Sequence, residues 1–160
     1  MKKYETMYIV RAQAGENEFK ALEERLKQVL TTFGGTFVAN QPIGKRTLSY
    51  LIGKDREGSY FLLQFEGSKN PALINELEKI LRYDENVIRF MTASGGFKTE
   101  LKVDFLDGKT FRTYITEHGR MISRRYTKLT AAQQRQMAKV VKRARVLSLL
   151  SFSTSHRKSA

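Results

Sequence analysis

Between Met1 and Thr92 the apolar positions change period repeatedly, and each change marks an element. "YETMYIV" (Tyr4–Val10) is short and nearly all apolar, as expected of a strand buried on both faces. Phe19, Leu22, Leu26, Val29 and Phe33 then recur by threes and fours, which predicts a helix capped by Asn17 and stopped by Gly34–Gly35. Thr36 to Ile52 is rich in β-formers but contains Pro42 and Gly44, the pattern of a strand with a break or bulge. The turn segment "GKDREG" leads into "SYFLLQF" (Ser59–Phe65), which predicts a hairpin. Asn70 and Pro71 supply an N-cap and a first-turn proline for a second helix with Leu73, Leu77, Ile80 and Leu81. "NVIRFMT" (Asn86–Thr92) is the last strand. The order βαββαβ predicts a ferredoxin-like split βαβ sandwich, for which about 95 residues make a sufficient core.

A small, glycine-containing joint, Ala93–Lys102, follows. It divides the chain into a domain over 1–95, a linker over 96–102 and a second domain over 103–160. In that second domain Phe105, Phe111 and Ile115 predict a short helix ending near Gly119, and Met121–Leu129 reads as irregular or extended. Thr130 starts a longer helix, with Gln133 completing a capping box. Its apolar positions Met137, Val140, Val141, Ala144 and Leu147 trace one stripe. Arg135, Lys139, Lys142 and Arg143, at i, i+4, i+7 and i+8, trace another, flanked by Arg145. The fold class predicted is α+β: a ferredoxin-like βαββαβ sandwich followed by a small basic all-α module.

Charge changes this picture. The net formal charge is +13, but residues 1–96 hold 14 basic and 12 acidic side chains, while residues 97–160 hold 15 and 4. A near-neutral domain joined to a strongly basic one points to a polyanion met mainly by the second. A merely solubilising basic tail would lack the aliphatic periodicity seen here. A membrane-surface helix usually carries interfacial Trp or Phe, and this one has no aromatic until Phe152. Calmodulin-type targets are usually detachable tails. A helix that grips phosphates within a small helical domain uses both stripes. The segment ahead of it adds Arg120, Arg124, Arg125 and Lys128, with the stackable ring of Tyr126 among them. Arginines and an aromatic on irregular backbone suit folded RNA. Lys45 and Arg46, after the Pro42–Gly44 break, add a weaker basic site on the first domain, as do Lys2, Lys3 and Arg11 beside the first strand.

Other chemistry is poorly supplied. There is no cysteine, hence no disulfide or thiolate metal site, which suits a reducing compartment. No apolar run approaches the ~20 residues that span a bilayer, and "MKKYETMYIV" reads as a strand start rather than a signal peptide. A soluble, cytoplasmic protein is expected. His118 and His156 lack acidic neighbours at metal-ligand spacing, and no serine sits in a nucleophile elbow. "SGG" (Ser94–Gly96) is not a phosphate loop. Glu23–Glu24 and Asp84–Glu85 read as solvated helix faces. No catalytic residue, metal, cofactor or small-molecule substrate is expected, and the protein is not expected to be an enzyme.

"YITEHGRMISRRYTKLTAAQQRQMAKVVKRARVLSLLSF" (Tyr114–Phe152) closely resembles bacterial small-subunit ribosomal protein eighteen, in a match running from about Val103 to Phe152. "LTTFGGTFVANQPIGKRTLSYLI", "GSYFLLQFEG" and "LEKILRYDENVIRFM" look like ribosomal protein six of the same subunit, over about Met1–Thr92. The resemblance implies a structural constituent of the small (30S) subunit that binds the central domain, or platform, of its ribosomal RNA. Two proteins that form a heterodimer there would be joined in cis. It further implies neighbouring ribosomal proteins as partners and an intramolecular contact between the two domains, for which Leu129, Val141 and Leu149 are candidates. A joint of about ten residues would hold the halves at an effective concentration on the order of millimolar. The alternative function is a non-ribosomal RNA-binding regulator, for example of its own message. This chain departs from the eighteen family at Ser123 and Ser151, where prolines are usual, and lacks that family's basic N-terminal arm.

Overall fold

The structure, a computed structural model, describes residues 1–67, 71–95 and 113–153. Asn70, the linker over 96–102, Phe105, Phe111 and the tail with His156 lie outside the described residues. In order, the elements are β1 (Lys2–Arg11), α1 (Glu16–Thr32), β2 (Thr36–Ile52), β3 (Asp55–Gly67), α2 (Pro71–Tyr83) and β4 (Val87–Ser94), then α3 (Arg124–Thr127) and α4 (Ala131–Val146).

The four strands form one sheet in the order β2-β3-β1-β4, with β1 antiparallel to both of its neighbours. This is the ferredoxin-like arrangement that the order βαββαβ predicts. The central place of β1 explains its nearly continuous apolar run, for Met7, Tyr8, Ile9 and Val10 are all buried. Even-numbered residues of β1 share a face with Phe65, Leu63 and Phe61 of β3 through the pairs Tyr4↔Phe65, Thr6↔Leu63 and Tyr8↔Phe61. On that face the rings of Tyr4 and Phe65 stack at 5.4 Å, and those of Tyr8 and Phe61 at 5.3 Å. Thr6 is buried among them and donates its hydroxyl to the facing Thr92 (3.1 Å). The same face takes Leu22, Leu26 and Leu30 of α1 and Leu73, Leu77 and Leu81 of α2, which complete the core.

Three local expectations are corrected. The N-cap of α1 is Gly15, not Asn17, and the Glu18 carboxylate accepts the Gly15 N–H (3.1 Å). The buried stripe of α1 runs through Leu22, Leu26 and Leu30, which leaves Phe33 at its C-cap partly exposed. The hairpin turn is shorter than "GKDREG", because β2 ends at Ile52, β3 resumes at Asp55, and Gly53 turns at φ +62°. At the suspected break Gly44 adopts φ +108°, yet β2 continues through it. The chain forms two compact units, and the hairpin tip Leu48–Arg56 groups with the C-terminal part rather than with the sheet and its helices.

Asn40 of β2 donates to the Tyr8 hydroxyl (2.9 Å) and to Glu23 of α1 (3.3 Å). Burial pushes the Tyr8 phenol up to about 12; the Asn40 hydrogen bond opposes this and the Glu23 charge adds to it. Lys27, chiefly through its hydrogen bond, holds the Glu23 carboxyl below its ordinary value. Between pH 10 and 12 the folded chain therefore keeps a proton that the unfolded chain loses, so stability falls as pH rises through that window. We expect a loss of roughly 2–3 kcal/mol from this group by pH 12. Urea unfolding followed by circular dichroism across that range checks it: Tyr8→Phe should remove this slope, and parallel losses in parent and variant would contradict the assignment.

Candidate nucleic-acid interface

The α4 helix is defined at both ends by side chain and backbone. Thr130 accepts the Gln133 N–H (3.3 Å) while Gln133 accepts the Thr130 N–H (3.0 Å), a reciprocal capping box. Met137, Val140, Val141, Ala144 and Leu147 are all buried, as the apolar stripe predicts. Arg135, Lys139 and Lys142 are exposed and Arg143 is half-buried. At the far end Leu149 N–H reaches Ala144 C=O (2.9 Å) and Ser148 N–H reaches Arg145 C=O (3.1 Å), a Schellman closure with Ser148 in the left-handed region at φ 53°.

Ahead of α4, the region where a short helix was expected to end is a turn in its described part. Ile115 bridges Met121, Thr116 N–H meets Arg120 C=O (2.8 Å), and Gly119 turns at φ +80°. The segment expected to be irregular holds the four-residue helix α3 instead. Ser123 precedes it at φ −67° and ψ 154°, an angle that proline would also hold, so the serine preserves the backbone course. Its carbonyl accepts Tyr126 N–H (3.1 Å) and Thr127 N–H (3.2 Å). Lys128 closes α3 in the left-handed region at φ 56°, its N–H on Arg124 C=O (3.0 Å). Gln134 ties α3 to the first turn of α4, donating to Ile122 C=O (2.9 Å) and accepting from Thr127 (3.3 Å).

This tether brings Arg124, Arg125, Tyr126 and Lys128 beside the helix that carries Arg135. All four are exposed, as is Arg120, and Tyr126 is 82% accessible. Among the described residues no acidic side chain pairs with Arg120, Arg124, Arg125, Lys128, Lys139 or Lys142. On the first domain, Lys45 is exposed but paired with Glu57 (2.6 Å), and Arg46 is half-buried. No group of His and acidic residues that could hold a metal occurs among the described residues, and no helix there is long and apolar enough to cross a membrane.

Arg145 takes a different place from the other cations. Its guanidinium donates to Gly119 C=O and lies 5.6 Å from the Phe152 ring, with Nε buried. The Phe152 ring is 5.6 Å from that of Tyr50, whose hydroxyl donates to Arg145 C=O (2.7 Å). Ser148 C=O accepts Ser49 N–H (2.8 Å), and its hydroxyl donates to Tyr50 C=O (3.1 Å). None of this was signalled in the sequence: Tyr50 and Arg145 are 95 positions apart, and nothing marks a serine for left-handed backbone. Of Leu129, Val141 and Leu149, only Val141 is fully buried.

Comparison with known proteins finds two families along the chain. The family model described as ribosomal protein S6 matches residues 3–94, and that described as ribosomal protein S18 matches residues 99–150. Small ribosomal subunit protein bS6 of Citrifermentans bemidjiense is 42% identical over 89 residues, 56% of this chain and 65% of that protein, just under two thirds of its length. The bS6 of Exiguobacterium sibiricum is 40% identical over 91 residues, covering 57% of this chain and 94% of that one. The crystal structure of 30S ribosomal protein S6 from Thermotoga maritima superimposes with a TM-score of 0.53 at 29% identity, over 58% of this chain and 86% of that one.

Gly119 meets two demands at once. Its φ is left-handed, and a Cβ there would stand 2.6 Å from the Phe152 carbonyl oxygen. Gly119→Ala should destabilise the C-terminal part by about 1–3 kcal/mol, read as a lower thermal midpoint by circular dichroism. An unchanged midpoint would mean that the Gly119–Phe152 approach does not hold the turn.

Proposed function

Because the chain belongs to the ribosomal protein S6 family and carries an S18 match behind it, we propose that it is a structural constituent of the small ribosomal subunit that binds the central domain of the ribosomal RNA with both segments acting in cis. The observation that carries this reading is the division of labour on α4. Its apolar stripe is covered, while Arg135, Lys139 and Lys142 stay in solvent, as do Arg124, Arg125 and Lys128 of the preceding turn. Side chains so arranged neutralise phosphates and read no bases, the mode suited to holding an RNA's shape. Arg145, engaged by its own chain, is left out of the proposed contact set, and Lys45 and Arg46 are secondary in it. The protein would act in the cytoplasm, on the ribosome, beside neighbouring small-subunit proteins, with no catalytic role.

The cis arrangement is supported by the hairpin tip. Tyr50 and Ser49, within the S6 match, hydrogen-bond with Arg145 and Ser148, within the S18 match. We infer that the first segment completes the end of the helix that the second uses on RNA.

Two measurements bear on this. A tagged chain should sediment with small subunits; RNA binding without co-sedimentation would favour a regulator outside the ribosome. With about five phosphate contacts, the log–log salt slope of RNA affinity should be near −4, and replacing Arg135, Lys139, Lys142 and Arg143 by Gln should flatten it strongly. An unchanged slope would place the RNA on another face.

The coupling has its own test. Tyr50→Phe should cost about 1 kcal/mol of stability. Ser148→Gly should speed hydrogen exchange at the Tyr50 amide, which faces the Ser148 hydroxyl at 3.4 Å. Exchange as slow as in the parent would show the serine hydroxyl to be idle.

A further inference from the structure

Two features of the α3 turn, one that adds nothing to the core and one that costs the backbone, lie two residues apart. Tyr126 leaves 82% of its surface in solvent, whereas Tyr4, Tyr8 and Tyr60 are buried. Lys128 holds a left-handed backbone, which an L side chain resists and a glycine would adopt freely. Neither feature is loose. The turn is closed by Ser123 and Lys128 and tied to α4 through Gln134, so the ring and the cations around it are presented on fixed backbone. Departures from local stability on a rigid scaffold mark places where a side chain serves something outside the fold.

The chemistry of the cluster identifies its complement. An unpaired nucleotide is a π-face with an anionic phosphate on either side. Here a π-face stands with Arg124 and Arg125 before it and Lys128 after it, none with an acidic partner among the described residues. We propose that Tyr126 stacks on an unpaired nucleobase while Arg125 and Lys128 take its flanking phosphates, so that the α3 turn selects a bulged or looped nucleotide. A base inside an A-form duplex has no free face to offer. The inference rests on the RNA-binding reading above and adds a non-ionic contact to it. Tyr83 makes a natural control: it is 76% exposed, but Asp84 and Glu85 follow it, and those would repel a phosphate.

The test uses the full chain and an in vitro transcript of the central domain of small-subunit ribosomal RNA, with affinities measured across a salt series. Tyr126→Ala should weaken binding about 5- to 150-fold, the span of a base–aromatic stack, without altering the salt slope. Tyr126→Phe and Tyr83→Ala should bind like the parent. Lys128→Gly should bind more weakly with a slope shallower by about 0.7–0.9, the loss of one phosphate contact. Chemical probing should find one unpaired nucleotide that is protected by the parent and released by Tyr126→Ala.

Parent-like affinity of Tyr126→Ala would overturn the proposal. So would equal weakening by Tyr126→Phe, which would indicate a hydroxyl contact in place of a stack. Unchanged RNA affinity with poor incorporation into small subunits would assign the ring to a protein neighbour. If the parent itself lacks salt-dependent affinity for the transcript, the RNA reading falls first.

Discussion

A helix ends with carbonyls that nothing inside it can satisfy, and the two long helices answer this constraint differently. In α1 the chain turns left-handed at Gly34, and Gly35 N–H closes on Leu30 C=O (2.7 Å). In α4 the same geometry is built on Ser148, where the Cβ costs on the order of 1 kcal/mol that glycine would avoid. The serine hydroxyl donates to Tyr50 C=O (3.1 Å) and faces the Tyr50 N–H (3.4 Å), and a bond of this kind contributes about 1 kcal/mol. The strain is thus offset by contacts that glycine could not make. The close of the basic helix depends on a hairpin made much earlier in the chain.

The same economy explains how the cations are divided. Arg145 is turned inward by Gly119 and Phe152, and what remains outward is Arg135, Lys139, Lys142 and the cluster around α3. Isolated surface charges of this kind add little to stability, and their mutual repulsion opposes folding. Gln134 helps to keep them in place by crossing from α4 to the backbone of the preceding turn. Among the described residues the two non-glycine positions with positive φ are Lys128 and Ser148, both in the basic part. There, unlike in the sheet domain, side-chain chemistry outweighs backbone ease.

What could be read from the sequence follows from how local each cause is. Strands and amphipathic helices announce themselves by period, so βαββαβ and both stripes of α4 were legible, as was the Thr130–Gln133 cap. Asn17 misled because a glycine carbonyl and the Glu18 carboxylate can start a helix without a capping side chain. The α3 helix was missed because four residues are too few to show a period. Arg145 looked like its neighbours on a helical wheel, and only the position of Gly119 and Phe152 distinguishes it. The Tyr50–Ser148 contact joins positions 98 apart, and no spacing rule reaches that far.

The separation of Tyr50 from Arg145 also fixes an order of events during synthesis. Chains emerge N-terminus first, and domains fold largely as units as they appear. Tyr50 is therefore synthesised well before Ala131, and the last turn of α4 closes against a segment already made. A chain stopped just short of Ser148 would carry every cation of α4 but lack the residue that closes the helix.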